Sequence, residues 1–361
     1  MKKLFLFSCL FFSLYASAQN DSLPSFVKDS LDNYVNTALT GWQIPGIAVC
    51  IVKNGKVVLM KGYGVKELNG SDKVDENTLF MIGSNTKAFT GTALAMLDTE
   101  KKLSLDDKVT KWIPQFKLDN KAAGEQAIIK DLLCHRIGFQ TFQGDFTYWT
   151  SNLTRNDVIE KMSHIKAPYP FRTRWGYTNA AFVVAGEIIP KASGLQWEDY
   201  LKEKIFTPLG MNSTLALSKD FPNAANKCSA HTMAEGKLVK IPFCSIDNLA
   251  AAGSIGSSVN DMSHWVMAQL NAGKYDGKQV IPQAAISQTW FPHSILGNGG
   301  KQFNTGHFNL YGLGWFLEEY CGKKVVSHTG GVNGFVTSVT LIPEEKLGII
   351  VFTNTDQNNF Y

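Results

Sequence analysis

The chain contains no C-x-x-C pair and no H-E-x-x-H, and its seven histidines are scattered, so no metal site is expected. Six cysteines in 361 residues are too sparse for a disulfide framework. Beyond the first fifteen residues no apolar run approaches the roughly 20 residues that cross a bilayer. Charge of one sign is also lacking. Lys and Arg number 35 against 31 Asp and Glu, a net charge of +4, which gives no footprint for nucleic acid or an anionic membrane. Low-complexity stretches are absent too. Hydrophobic content of 44% suffices for a real core, and the length suits about two compact units.

What is present begins with Lys2 and Lys3, an apolar stretch Leu4–Tyr15, and Ala16-Ser17-Ala18. A basic start, a short apolar segment and an A-x-A site predict a cleaved export signal over residues 1–18, with a periplasmic or secreted destination. Cys9 offers a lipoprotein alternative, with few apolar residues before it. Cleavage leaves 343 residues, a net charge of +2 and five cysteines: Cys50, Cys134, Cys228, Cys244 and Cys321. Cys50 lies in an apolar run and reads as core. Cys228 and Cys244 could pair in an oxidising compartment.

Apolar spacing over 24–40 predicts an amphipathic helix. Two strand-like runs, Ile47–Val52 and Val57–Met60, flank Asn54-Gly55, a strong hairpin signal. Ala88–Leu97 reads as a buried helix. Residues from about 106 to 249 carry short helical patterns (Ala127–Leu133, Ala180–Ile189, Trp197–Lys204) broken by Pro and Gly. Ser258–Leu270 is a further helix. Strands are then predicted at Gly312–Leu317, Lys324–His328, Gly334–Ile342 and Gly348–Asn354. The pattern predicts an α+β fold. One antiparallel sheet draws on both ends of the chain (about 19–105 and 250–361), with helices against it and a mostly helical lobe beside it. The cleft between the lobes is the natural place for a site.

Three short motifs could carry chemistry. Gly83-Ser84-Asn85-Thr86-Lys87 places Ser84 and Lys87 on one face if a helix starts there. Serine is a weak nucleophile unless a base takes its proton, and a desolvated lysine can be that base. Two other S-x-x-K pairs, Ser25–Lys28 and Ser163–Lys166, show how cheap the pattern is alone. Tyr177-Thr178-Asn179 offers a phenol for proton relay and an amide for a substrate. Its bland reading is a tyrosine at a helix start, and Tyr34–Asn36 repeats the pattern. His328-Thr329-Gly330-Gly331 follows a strand, where small residues admit a ligand close to the backbone.

Taken in order, Ser84–Lys87, Tyr177–Asn179 and His328–Gly330 resemble the three signature elements of class C β-lactamases and their relatives, penicillin-binding peptidases, D-aminopeptidases and esterases. Asp131–Gly138, Pro208–Met211, Ala252–Ser258 and Tyr311–Trp315 resemble further blocks of that group. The resemblance implies acyl transfer through an acyl-enzyme on Ser84. Lys87 and Tyr177 would share the general-base and general-acid work in an unassigned order. The backbone N–H groups of Ser84 and Gly331 would form the oxyanion hole, and Asn179, His328, Thr329 and Gly330 would bind substrate. It implies no cofactor and no metal, a lactam, D-amino-acid peptide or ester as substrate, and leaves the oligomeric state open.

Two departures matter. Those β-lactamases usually carry lysine where this chain has His328, and a neutral histidine favours an esterase or a broader peptidase. The chain also stops at Tyr361 without the closing helix of that fold, which predicts a truncated piece or an uncovered sheet face. Rival readings are a G-x-S-x-G-like site at Ser254, a triad of Ser84 with His135 and Asp131, and a penicillin sensor or inactive binding relative.

Overall fold

The computed structural model describes residues 24–296 and 306–360. The expected export signal therefore lies outside the described residues.

The hairpin signal at Asn54-Gly55 does join two strands, β1 (Gly46–Lys53) and β2 (Lys56–Gly64). Asn54 and Gly55 both take positive φ, 53° and 73°, as the tight connection requires. The remaining strands of the sheet are β3 (Ser294–Ile295), β4 (Asn309–Tyr311), β5 (Phe316–Tyr320), β6 (Lys323–Val332), β7 (Phe335–Ile342) and β8 (Leu347–Thr353). They form one eight-stranded antiparallel sheet in the order β2-β1-β8-β7-β6-β5-β4-β3. Strands from the two ends of the described chain meet near one edge of it, where Ile47 pairs with Thr353 and Lys53 with Leu347.

Strand periodicity sorts the side chains. Ala48, Cys50 and Val52 face the main core, while Ile47, Val49 and Ile51 face the other way, onto Leu31 and Val35 of α1 (Leu31–Gly41). The outer face is thus partly covered. Beyond α1 the outward positions turn small and polar, as at Ser327, Thr329, Ser338 and Thr340. The inner face packs on α5 (Val259–Leu270), whose first turn is capped by the Ser258 hydroxyl accepting from the Asp261 N–H. The buried helix expected over 88–97 is α2 (Thr86–Thr99), in which every residue from Thr86 to Leu97 is buried.

The fold differs from its sequence reading in three places. The run 127–133 is helical only as α3 (Ile129–Leu133), after a separate helix Lys121–Gln126. A hairpin, Ala230–Ala234 with Lys237–Ile241, sits inside the nominally helical stretch. The predicted strand Gly312–Leu317 is a corner instead: the Trp315 carbonyl accepts from the Gly312 N–H, and pairing occurs on either side of it. Cys50, Cys134, Cys228 and Cys244 are buried, and the suggested Cys228–Cys244 pair is not bridged.

Candidate active site

Ser84 sits on a 3₁₀ turn, Gly83–Asn85, that runs directly into α2. Asn85 pins this turn to the sheet by donating from Nδ2 to Thr337 Oγ1 (2.9 Å), whose hydroxyl donates to the Ile82 carbonyl (2.9 Å). Glycine is obligatory where β6 passes the turn. A Cβ on Gly330 would stand 1.9 Å from Ile82 O, and one on Gly83, already at φ 52°, would stand 2.8 Å from Gly331 N.

One helical turn on, Lys87 is fully buried. Its Nζ lies 3.1 Å from Ser84 Oγ, 2.7 Å from Asn179 Oδ1 and 2.8 Å from the Ala252 carbonyl. The last two partners can only accept, so they hold two N–H bonds in either protonation state. In the neutral amine the lone pair is left for the longest contact, and there it can accept the Ser84 proton. Burial brings Lys87 down from 10.5 to about 7, against an opposing pull from Asp145. The Tyr177 ring lies 4.6 Å from Nζ and the Phe182 ring 5.4 Å.

Tyr177 ends the segment leading into α4 (Asn179–Ser193). Burial drives its phenol well above its ordinary value, while the Ser84 hydroxyl draws it back and Asp145 adds to the rise. It is therefore a neutral phenol near pH 7, able to donate a proton rather than take one. The His135 ring packs 4.5 Å from it.

Asp145 was not singled out by its sequence. It is buried at the start of α4, where its Oδ2 accepts from Asn179 N (2.9 Å) and Asn179 Nδ2 (3.0 Å). The carboxylate thus caps α4 from a distant loop, favourably placed at the positive end of that helix. It also fixes the Asn179 amide so that Oδ1 points at Lys87. Burial raises the Asp145 pKa, opposed by these N–H groups and by Lys87. The Ala252 carbonyl and the Tyr311 hydroxyl are further partners left without a role in the sequence reading.

His328 lies on β6 with its ring turned inward, 1% exposed. Nδ1 is 2.6 Å from the Thr329 carbonyl, so Nδ1 must carry a proton. Nε2 then accepts from the Tyr311 hydroxyl at 2.9 Å. Burial, with Lys87 nearby, lowers His328 to about 3. Both ring nitrogens are committed within the protein, although the residue lines the cavity. Gly330 lies against the Ile82 carbonyl, where a Cβ would have no room.

A cavity of about 430 Å³ opens over these groups. Ser84, Tyr177 and Asn179 form its floor with Asp145, while His328, Thr329 and Gly331 line the sheet side. Phe142, Phe146, Trp149, Trp175 and Phe316 supply aromatic walls. Trp149 Nε1 donates to Asn333 Oδ1 (2.7 Å), tying the helical side to the β6–β7 turn. Gly331 and Ser84 thus border the same space.

The competing sites do not assemble. Asp131 is buried in ion pairs with Arg136 (2.5 Å) and Arg172 (2.7 Å), and His135 Nδ1 accepts from the Thr178 N–H. Ser254 is buried and donates to the Ala216 carbonyl. Ser25 adjoins the opening turn Phe26–Ser30, and Ser163 follows the helix Arg155–Met162, both away from the cavity. Among the described residues no cluster of His, Cys, Asp or Glu could hold a metal ion.

The family model described as Beta-lactamase matches residues 31–361. The chain belongs to the beta-lactamase family. This beta-lactamase-family chain is 28% identical to the Unguisins hydrolase ungD of Aspergillus violaceofuscus over 368 residues, covering 96% of this chain and 64% of that protein. It is also 28% identical over 332 residues to Protein flp of Staphylococcus aureus, covering 91% and 63%. The chain spans only 61% to 64% of the length of these curated relatives. The octameric penicillin-binding protein homologue from Pyrococcus abyssi superposes with a TM-score of 0.80 at 26% identity, covering 91% of this chain and 73% of that one. A D-stereospecific amidohydrolase from Streptomyces sp. shares the fold, with a TM-score of 0.72 at 19% identity over 90% and 94% of the two chains. The β-lactamase/transpeptidase-like fold and the serine hydrolase superfamily expected from the three motifs are both upheld.

Proposed function

We propose that this protein hydrolyses ester or amide bonds by acyl transfer through Ser84. The observation that carries the reading is the 3.1 Å contact between Lys87 Nζ and Ser84 Oγ, made by a fully buried lysine. Neutral Lys87 takes the hydroxyl proton as Oγ bonds to the substrate carbonyl carbon. The oxyanion is received by the N–H groups of Ser84 and Gly331. The Tyr177 phenol, resupplied from Lys87, protonates the leaving oxygen or nitrogen as its bond to carbon breaks. Water then attacks the acyl-enzyme, its proton returning through the same pair, and the acid is released. Lys87 as the first base is supported by its contact with Ser84 Oγ and its lowered pKa, and Tyr177 stays protonated at neutral pH and so holds a proton for the leaving group. The word hydrolase in the name of the Aspergillus relative agrees with this reading. Ester or amide cleavage is favoured over lactam cleavage because His328 brings no cation. Lys2, Lys3 and Ala16-Ser17-Ala18 support export.

Intact-mass spectrometry with a fluorophosphonate, a generic ester and a penicillin tests the proposal. One adduct on the wild type and none on Ser84→Ala is the expected result. A folded wild type that labels with none of them refutes it.

A further inference from the structure

Aromatic rings form most of the cavity wall, and the charges near it share a pattern. Among the described residues no lysine or arginine lines the wall; Lys87 stands behind Ser84 with its nitrogen committed to three partners. Among the described residues the one carboxyl group in the wall, Asp145, is buried and turned to the Asn179 N–H groups. His328 also lines the cavity. Thr329 O and the Tyr311 hydroxyl hold its ring as the Nδ1–H tautomer, with no N–H left to offer.

From this geometry we infer that the site selects substrates whose cavity-filling acyl group is neutral and aromatic, and rejects those that carry a carboxylate there. The inference rests on the acyl-transfer reading of Ser84 and gives it a substrate class. A carboxylate entering this space loses its hydration among the faces of Phe142, Trp149, Trp175 and Phe316, whose π clouds are themselves negative. The hydroxyls of Thr141 and Thr329 repay only part of that loss, since no lysine or arginine among the described residues lines the wall. A phenyl group suffers neither effect. It buries apolar area against the rings, and a cavity of about 430 Å³ has room for it.

The test is a matched pair of 4-nitrophenyl esters, phenylacetate and 4-carboxyphenylacetate, with 4-nitrophenyl acetate as a small neutral reference. All three share one leaving group, so differences in kcat/KM report the acyl pocket. The phenylacetate is expected to exceed its carboxylated analogue by about 100-fold and to exceed the acetate as well. His328→Lys is expected to narrow the first ratio at least about tenfold, chiefly through KM for the carboxylated ester. Equal kcat/KM for the two aryl esters in the wild-type protein overturns the inference while leaving the serine hydrolase reading intact. No turnover of any ester, with no fluorophosphonate adduct, overturns the underlying reading and the inference with it.

Discussion

If Lys87 is the base, the rate must follow its deprotonation. With a pKa of about 7, the neutral fraction is roughly one tenth at pH 6, one half at pH 7 and nine tenths at pH 8. An ordinary lysine at 10.5 would be neutral in only about one molecule in 3000 at pH 7. The displacement from 10.5 to about 7 corresponds to about 5 kcal/mol against the ammonium form, the work of burying it completely. The assay is kcat/KM for a neutral ester between pH 5 and 9, since that ratio titrates the free enzyme whose structure is described. It should climb about tenfold from pH 6 to 8, with unit slope below the midpoint and a plateau above. Lys87→Arg, which cannot deprotonate in this range, should abolish the plateau. Tyr177→Phe should lower the plateau by about 10²–10⁴ without moving the midpoint. A profile flat from pH 6 to 8, or one still climbing toward pH 10, refutes Lys87 as the base. A limb that vanishes in Tyr177→Phe assigns the role to the phenol.

Asp145→Asn should reduce kcat about tenfold or more with little change in KM. The ascending limb should also move to lower pH, because the charge favouring the Lys87 ammonium is gone; an unmoved limb denies Asp145 its positioning role. Gly330→Ala should cost about 1–3 kcal/mol in urea unfolding, since its Cβ would strike Ile82 O, and activity should fall as β6 moves from Ser84. Asp131→Ala should cost about 3 kcal/mol, the low end for a broken buried ion pair because Arg136 and Arg172 are partly exposed. Acid should destabilise the fold ahead of any carboxylate effect. His135 and His328 have folded pKa values below 6.5, so as pH falls below 6.5 the unfolded chain binds protons that the folded chain refuses. For His328 stability is full above 6.5 and is lost on the way down to about 3, by about 1.4 kcal/mol per pH unit, and His135 adds to the loss in the same direction, measurable as a falling urea midpoint.

Much of this architecture was legible in the residues. The Asn54-Gly55 turn, the continuous apolar run of β1 and the apolar density of α2 are each a local pattern that tertiary packing did not override. Ser84 and Lys87 were legible because three residues make one helical turn. The corner at Gly312–Trp315 was not, since its apolar residues look like a strand while its backbone turns over α2. Asp145 was hidden for another reason. It reaches Asn179 across 34 residues, and no spacing rule marks an acid that caps a remote helix. The Ala252 carbonyl is a backbone group and leaves no mark in side-chain chemistry. His328 was visible, but its neutrality depends on Tyr311, a partner that only the folded chain brings within 2.9 Å.

The meeting of the two chain ends in the sheet governs when the protein can begin to work. Ile47 waits for Thr353, about 300 residues further along, and the Gly330–Gly331 stretch reaches Ser84 only once β6 has docked. Closing loops of that length makes folding slow and the contact order high. A chain emerging N-terminus first therefore carries its serine and lysine long before it owns the strand that completes their pocket. The pocket around Ser84 is complete only once the last strands have docked.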